Sequence, residues 1–351
     1  MIDLKRGNLL KANAEALVNT VNCVGVMGKG IALQFKQAYP ENYKQYHRAC
    51  KAGEVKPGRM LTIRTSLMNP KFIINFPTKR HWKGKARLSD IRIGLDALID
   101  EVRSLGVRSV AVPPLGCGNG GLDWSDVKPL IEGAFAKVPD VDVLLFEPAG
   151  APVPDAMPVA TDRPKMTAGR ALLLRLIGIY AAPGYRLGRL EIQKLVYFLQ
   201  AVGEKLGLKF VKDRYGPYAE AVNHMLERIE GHFVRGFGDR SGEAQLYALP
   251  QALDEANRFM ADVPDSALRL GRVAELIEGF ETPYGMELLA TVHYVCAEDP
   301  NVAEDAEEVV RRVHAWSNRK RLRFRDQHIK KAWLRLLSKG WLTLPSKQAT
   351  G

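Results

Sequence analysis

The stretch Val18-Asn19-Thr20-Val21-Asn22-Cys23-Val24-Gly25-Val26-Met27-Gly28-Lys29-Gly30-Ile31-Ala32 decides the reading of this chain. The apolar run Ala16-Leu17-Val18 enters it as a buried strand would. Two asparagines follow, then a glycine loop from Gly25 to Gly30, and a helix starts at Ile31. The pattern recurs later. Val110-Ala111-Val112 reads as a strand, and Gly116-Cys117-Gly118-Asn119-Gly120-Gly121 leaves it. Bare backbone N–H groups at a helix start hold phosphate, and glycine lets the backbone come close. Two such loops make two walls of one pocket. They suit a diphosphate with a sugar on either side, a nucleotide-derived ligand such as ADP-ribose.

Strand and helix patterns alternate around these loops. Leu9–Leu17 leads into the strand ending at Asn22, Gly30–Phe35 and Pro40–Ala52 read as helices, and Met60–Arg64 and Phe72–Phe76 as strands. Ser89–Leu105 is the clearest helix. Ile91, Leu95, Leu98, Val102 and Leu105 build one apolar stripe, with Ser89 as its expected cap. Ser109–Val112 and Asp142–Phe146 are further buried strands, with the helix Ser125–Ala136 between them. The expectation is an α/β domain over residues 1–150, with helices on both faces of a sheet. The ligand would sit beyond the carboxyl ends of the strands.

Residues 147–164 read EPAGAPVPDAMPVATDRP; five prolines without periodicity mark a linker, placed at 151–165. Residues 166–351 then form a mainly helical domain. Its expected helices are Leu172–Ile179, Leu190–Leu206, Tyr218–Ile229, Leu268–Phe280, Met286–Cys296, Val302–Trp316 and Gln327–Leu337. The run Gln245–Leu249 is too weak to assign as a strand.

A length of 351 residues fits two domains. No apolar run is long enough to span a membrane, and Met1-Ile2-Asp3-Leu4-Lys5 lacks the apolar core of a signal peptide, so no membrane partner is expected. Cys23, Cys50, Cys117 and Cys296 have no metal-ligand spacing. They imply a reduced, cytoplasmic chain without bound metal. The net charge of +12 divides into about +7 over residues 1–155 and about +5 over the rest. A basic surface favours a polyanionic partner through counterion release; it equally serves plain solubility.

Between the glycine loops lies Phe76-Pro77-Thr78-Lys79-Arg80-His81-Trp82-Lys83-Gly84, which leaves the sheet where a ligand should sit. A lysine in a partly closed pocket has a lowered pKa and serves as a nucleophile. The second loop ends in Gly121-Leu122-Asp123-Trp124, which sets a carboxylate beside the diphosphate wall. Amine and carboxylate converging on an anomeric carbon suit cleavage of a glycosidic bond without a cofactor. Each residue also has a plainer reading. Lys79, Arg80 and Lys83 form a solvated basic loop, Asp123 caps a helix, His81 packs or meets a phosphate, and Cys117 is a small pocket-wall residue.

Three segments together resemble a macrodomain: Val18-Asn19-Thr20-Val21-Asn22, Gly28-Lys29-Gly30-Ile31-Ala32 and Pro113-Pro114-Leu115-Gly116-Cys117-Gly118. Lys79 and Asp123, in their settings, resemble the branch that includes terminal ADP-ribose protein glycohydrolase and the DarG-type antitoxins. The resemblance implies a three-layer α/β/α fold with a mixed sheet and ADP-ribose as ligand. The implied reaction is removal of ADP-ribose from thymidine in ADP-ribosylated single-stranded DNA. It places Asn8 and Leu9 at the adenine end, though Asn8 stands where the family often has Asp. Asn19, Thr20 and Asn22 would face the distal ribose, and Gly28, Lys29, Gly30, Ile31, Gly116, Cys117, Gly118, Asn119, Gly120, Gly121 and Leu122 the diphosphate. Thr78 and His81 would also bind ADP-ribose, with Lys79 and Asp123 catalytic.

The helical half, with Glu191–Phe198 and Arg214-Tyr215-Gly216-Pro217-Tyr218, resembles an antitoxin domain that would bind a DarT-like toxin. A surface imitating DNA should be acidic, and only Glu298–Glu308 is. The basic run Arg319-Lys320-Arg321-Leu322-Arg323 reads as a DNA contact or as a charged surface turn. Two other functions stay open at this point: a module that only binds ADP-ribose, and a glycohydrolase acting on ADP-ribosylated Glu or Asp of proteins.

Overall fold

The computed structural model describes residues 1–181 and 187–342; residues 182–186 and 343–351 of the expected helical domain lie outside the described residues. The chain divides into two units. The first is Met1–Asp162 together with Gly238–Gly242, and the second is Arg163–Phe237 with Glu243 onward.

The first unit is a sheet of strands β1 (Ile2–Lys5), β2 (Ala16–Asn22), β3 (Leu61–Arg64), β4 (Phe72–Lys79), β5 (Ser109–Val112) and β6 (Asp142–Phe146). The spatial order is β1-β6-β5-β2-β4-β3. Every pairing is parallel except β3 with β4, so the sheet is mixed. Side chains alternate across it. Ala16, Val18, Ile74 and Phe76 pack against α3 (Leu88–Leu105) and α4 (Trp124–Phe135). Leu17 and Ile73 face the opposite layer, with Phe35 of α1 (Ile31–Ala38). Next to α1, helix α2 (Pro40–Lys51) buries Tyr46 and Ala49 against Val21. Both faces of the central strands are therefore apolar, which is why they read as continuous runs.

Several expectations shift. Strand β1 was not foreseen; it exists through its pairing with β6. Helix α3 begins at Leu88 with Arg87 at its N-cap, so Ser89 lies inside the first turn instead of capping it. Residues of the proline-rich stretch pack with the first unit: Ala160 N–H donates to Gln37 at 2.9 Å, and Met157 is buried.

The second unit has one core of its own. Its helices are α5 (Ala168–Ala181), α6 (Arg189–Ala201), α7 (Glu220–Ile229), α8 (Pro250–Ala261), α9 (Pro264–Ile277), α10 (Pro283–Glu298), α11 (Ala306–Ala315), α12 (Asn318–Arg323) and α13 (Asp326–Ser338). A hairpin, β7 (Val211–Asp213) with β8 (Gly216–Tyr218), and a short pair, β9 (Val234–Arg235) with β10 (Tyr247–Ala248), complete it. Helix α10 is buried nearly all round, as a helix without a polar face must be. It packs against α6, α11 and α13.

The helix expected over Val302–Trp316 is two elements. A 3₁₀ turn, Pro300–Glu304, ends at Asp305, whose carboxylate caps α11. The acidic stretch is engaged in the same way. Asp299 caps the 3₁₀ turn, Glu308 pairs with Arg311 and Arg312, and Glu307 pairs with Lys330. The basic run is helix α12, not a turn, and its Lys320 is buried against the Glu287 carboxylate at 2.6 Å. Arg319 binds the same carboxylate. Among the described residues no helix is long and apolar enough to cross a membrane.

Candidate active site

Parallel neighbours β4, β2 and β5 end at one edge of the sheet, so the segments leaving them emerge side by side. The first is shaped by Asn22. Its Oδ1 accepts from the N–H groups of Val24 (3.1 Å) and Val26 (3.2 Å), and its Nδ2 donates to the Val26 carbonyl. The Tyr46 hydroxyl donates to the Asn22 carbonyl at 2.6 Å. An asparagine that folds the backbone just after itself is a local turn device, and here it sets the glycine loop. Met27 then pins the loop, buried with Val21, Tyr46 and Val55.

The two glycine loops meet at Gly30. Its φ is +63°, and a Cβ there would come within 2.8 Å of Asn119 Nδ2 of the second loop. The second loop is wound on itself. Cys117 N–H donates to Pro114, Gly121 N–H to Gly118 and Leu122 N–H to Gly116. At Gly120 a side chain would collide with the Gly116 carbonyl and the Ala86 methyl. Gly120 also accepts from Ala86 N–H at 3.0 Å, which ties the segment after β4 to this loop.

Strand β4 carries an irregularity that aims Lys79. Val21 pairs with Pro77, but Asn22 pairs with Lys79, so Thr78 is an extra residue. Such a bulge re-aims the next side chain. Lys79 Nζ donates to the carbonyls of Trp82 (3.0 Å) and Asn119 (3.1 Å). It is half-buried, and burial lowers its pKa from the ordinary lysine value. The following turn is braced by Arg80, whose guanidinium forks onto the buried Asp90 carboxylate of α3 at 3.1 and 3.3 Å.

Asp123 is the N-cap of α4. Its Oδ1 accepts from Ser125 Oγ (2.8 Å) and N–H (2.9 Å), and these bonds hold its carboxyl below the usual range. Among the described residues no ion pair joins it to Lys79. Cys117 is pushed up to about 11, chiefly by burial and further by the Asp123 charge, so it is a thiol and not a nucleophile near neutrality.

The remaining expected site residues divide. Gly28, Ile31, Thr20 and Leu122 are half-buried, and Lys29, Gly118, Asn119, Gly121 and His81 are exposed. His81 bonds within its own turn, Nδ1 accepting from Lys83 N–H at 3.3 Å. Thr78 is buried, with its hydroxyl on the Val21 carbonyl. Leu9 is buried in the α1-side core, and Asn8 caps the 3₁₀ turn Leu9–Lys11 while its amide donates to Ala156. Asn19 departs furthest from expectation. It is fully buried, and its amide donates to Asn75 Oδ1 at 2.9 Å; Asn75 in turn exchanges hydrogen bonds with Asn42 of α2. Asn19 therefore fastens β2, β4 and α2 beneath the loops.

Sequence reading missed the Arg80–Asp90 brace and the Asn75–Asn42 pair. Asn75 had a visible signal, a lone amide inside the apolar run Phe72–Phe76, since buried polar groups are the informative exceptions. Residues 18–131 match the family model for the Macro domain. The chain is 48% identical to a DNA ADP-ribosyl glycohydrolase of Thermus aquaticus, covering 97% of this chain and 94% of the relative. It is 42% identical to one of Mycobacterium tuberculosis, covering 96% of this chain and 99% of the relative. A DNA ADP-ribosyl transferase-DNA ADP-ribosyl glycohydrolase fusion protein of Thermosipho africanus is 32% identical over 44% of each chain.

Proposed function

The chain belongs to the DNA ADP-ribosyl glycohydrolase family, and from that premise we propose that its first unit removes ADP-ribose from thymidine bases of single-stranded DNA. The observation that carries this reading is the Lys79 amine, set at the end of a bulged strand and touching the Asn119 carbonyl of the second glycine loop. An amine so placed lies beside a cradle fit for pyrophosphate, within reach of the sugar attached to it.

The chemistry follows from these groups. Neutral Lys79 Nζ attacks C1″ of the distal ribose. The Nζ–C1″ bond forms as the bond from C1″ to the thymine nitrogen breaks, and the departing base takes the proton released by the new ammonium. Water then cleaves the sugar from Nζ, giving free ADP-ribose and the original amine. The lowered pKa of Lys79 supports the neutral form. Asp123, ionised at neutral pH, serves to orient the ribose and its water.

The second unit, in this reading, binds a DarT-like DNA ADP-ribosyltransferase and neutralises it, so that the chain acts as an antitoxin with two arms. The existence of a relative that joins a transferase to a glycohydrolase in one polypeptide supports such a partner. Four free thiols agree with a reducing, cytoplasmic setting.

Purified protein should release ADP-ribose from a modified single-stranded oligonucleotide. Lys79→Ala should bind ADP-ribose and release none. Faster turnover of an ester-linked ADP-ribosyl peptide than of the oligonucleotide would move the substrate to protein carboxylates.

A further inference from the structure

The segment Gly238-Asp239-Arg240-Ser241-Gly242 is remote in sequence from both glycine loops, yet it packs as part of the first unit. The Asp239 carbonyl accepts from Gly30 N–H, at the head of α1, at 2.8 Å. The Asp239 carboxylate is buried and held from two sides. Gln34 Nε2 of α1 donates at 2.7 Å, and Ser241 donates through N–H at 2.9 Å and Oγ at 2.5 Å. This anchorage sets Arg240 over the first loop, where Nη1 reaches the Gly28 carbonyl at 3.5 Å. Arg240 is also the one non-glycine residue with positive φ (+66°) among the described residues. Side-chain-bearing residues avoid that conformation. It persists only where the surroundings over-determine it.

With Gly30 N–H already bonded to Asp239, the first-turn amides of α1 that can face an anion at the first loop are those of Ile31 and Ala32. First-turn amides have no acceptor within their own helix. A guanidinium beside them brings a permanent charge and a planar set of donors matched to phosphate oxygens. We propose that Gly238–Gly242 forms a third wall of the diphosphate site and that Arg240 is its charged ligand for the pyrophosphate of ADP-ribose. This rests on the ADP-ribose reading above.

The test is calorimetric titration of the full-length chain with ADP-ribose, alongside Arg240→Gln and Arg240→Gly. Glycine adopts a positive φ without strain, so Arg240→Gly removes the charge and keeps the backbone. Both variants should lose about tenfold or more in affinity, show a shallower dependence on salt, and melt at the temperature of the unmutated chain. Affinities within about twofold of the unmutated chain would overturn the proposal. So would tighter binding, which would make the segment an obstruction. Absence of binding by the unmutated chain would overturn the ADP-ribose reading, and this inference with it.

Discussion

Lys79 Nζ and the Asn119 carbonyl lie 3.1 Å apart, although 40 residues separate them in the chain. This bond joins the end of β4 to the second glycine loop and sets the amine at the rim of that loop. Because the contact runs to a main-chain oxygen, the amine is positioned whatever side chain Asn119 carries.

Replacing Lys79 by alanine is expected to lower turnover of ADP-ribosylated oligonucleotide by a hundredfold or more. Its affinity for ADP-ribose should stay within a few-fold of the unmutated chain. Single-turnover kinetics and calorimetry check the two halves separately. Retained turnover would remove the amine from the reaction.

The same amine predicts a pH profile. In the proposed reaction it attacks only when neutral, so kcat/KM should climb with pH and level off above the Lys79 pKa. Burial lowers that pKa, and the midpoint should lie below the ordinary lysine value of about 10.4. A midpoint at or above that value would contradict the nucleophilic role.

Asp123 caps α4, and two substitutions separate that role from the proposed catalytic one. Asparagine caps a helix as well as aspartate does, and alanine does not. Asp123→Asn should keep the melting temperature and lose turnover. Asp123→Ala should lower both. Full turnover by the asparagine variant would reduce Asp123 to a cap.

At Gly120 an added methyl meets the Gly116 carbonyl and Ala86. Gly120→Ala should cost about 1–3 kcal/mol, as overpacking does, and weaken ADP-ribose binding by opening the second loop. Thermal melts and calorimetry measure both effects.

In the second unit, burial opposes ionisation of Glu287, but hydrogen bonds from Arg319 and Lys320 prevail and hold its carboxyl below the ordinary value. A depressed carboxyl pKa stabilises the fold above the unfolded pKa and loses that contribution as pH falls through the native one. Glu287→Ala should destabilise by about 3–5 kcal/mol, because it leaves the Lys320 ammonium buried without its partner. Denaturant titrations at neutral pH should show the loss, and the difference from the unmutated chain should shrink in acid.

Most of the first unit was legible in sequence because its signals are local. A buried strand running into glycines and then a helix start shows itself within fifteen residues, as at Val18–Ala32. What escaped depends on distant partners. Strand β1, with Asp3 and Lys5 among four residues, has no pattern of its own and is made by Val143–Phe146. Helix α8 turns the small side chains of Ala252 and Ala256 inward, a weak apolar signal. Lys320 sits in a basic run that reads as solvated until Glu287, 33 residues earlier, is brought beneath it. The site divided in the same way. The glycines announced themselves, whereas the inward turn of Asn19 needed Asn75 and Asn42.

A strand sends consecutive side chains to opposite sides, so the extra residue at Thr78 changes the parity of everything after it. Lys79 occupies the phase that an unbroken strand would give to its predecessor. A regular pairing in which Thr78, and not Lys79, stood opposite Asn22 would turn the amine to the other side of the sheet. Under the proposed reaction, the register of a single residue pair therefore decides whether the amine faces the sugar it would attack.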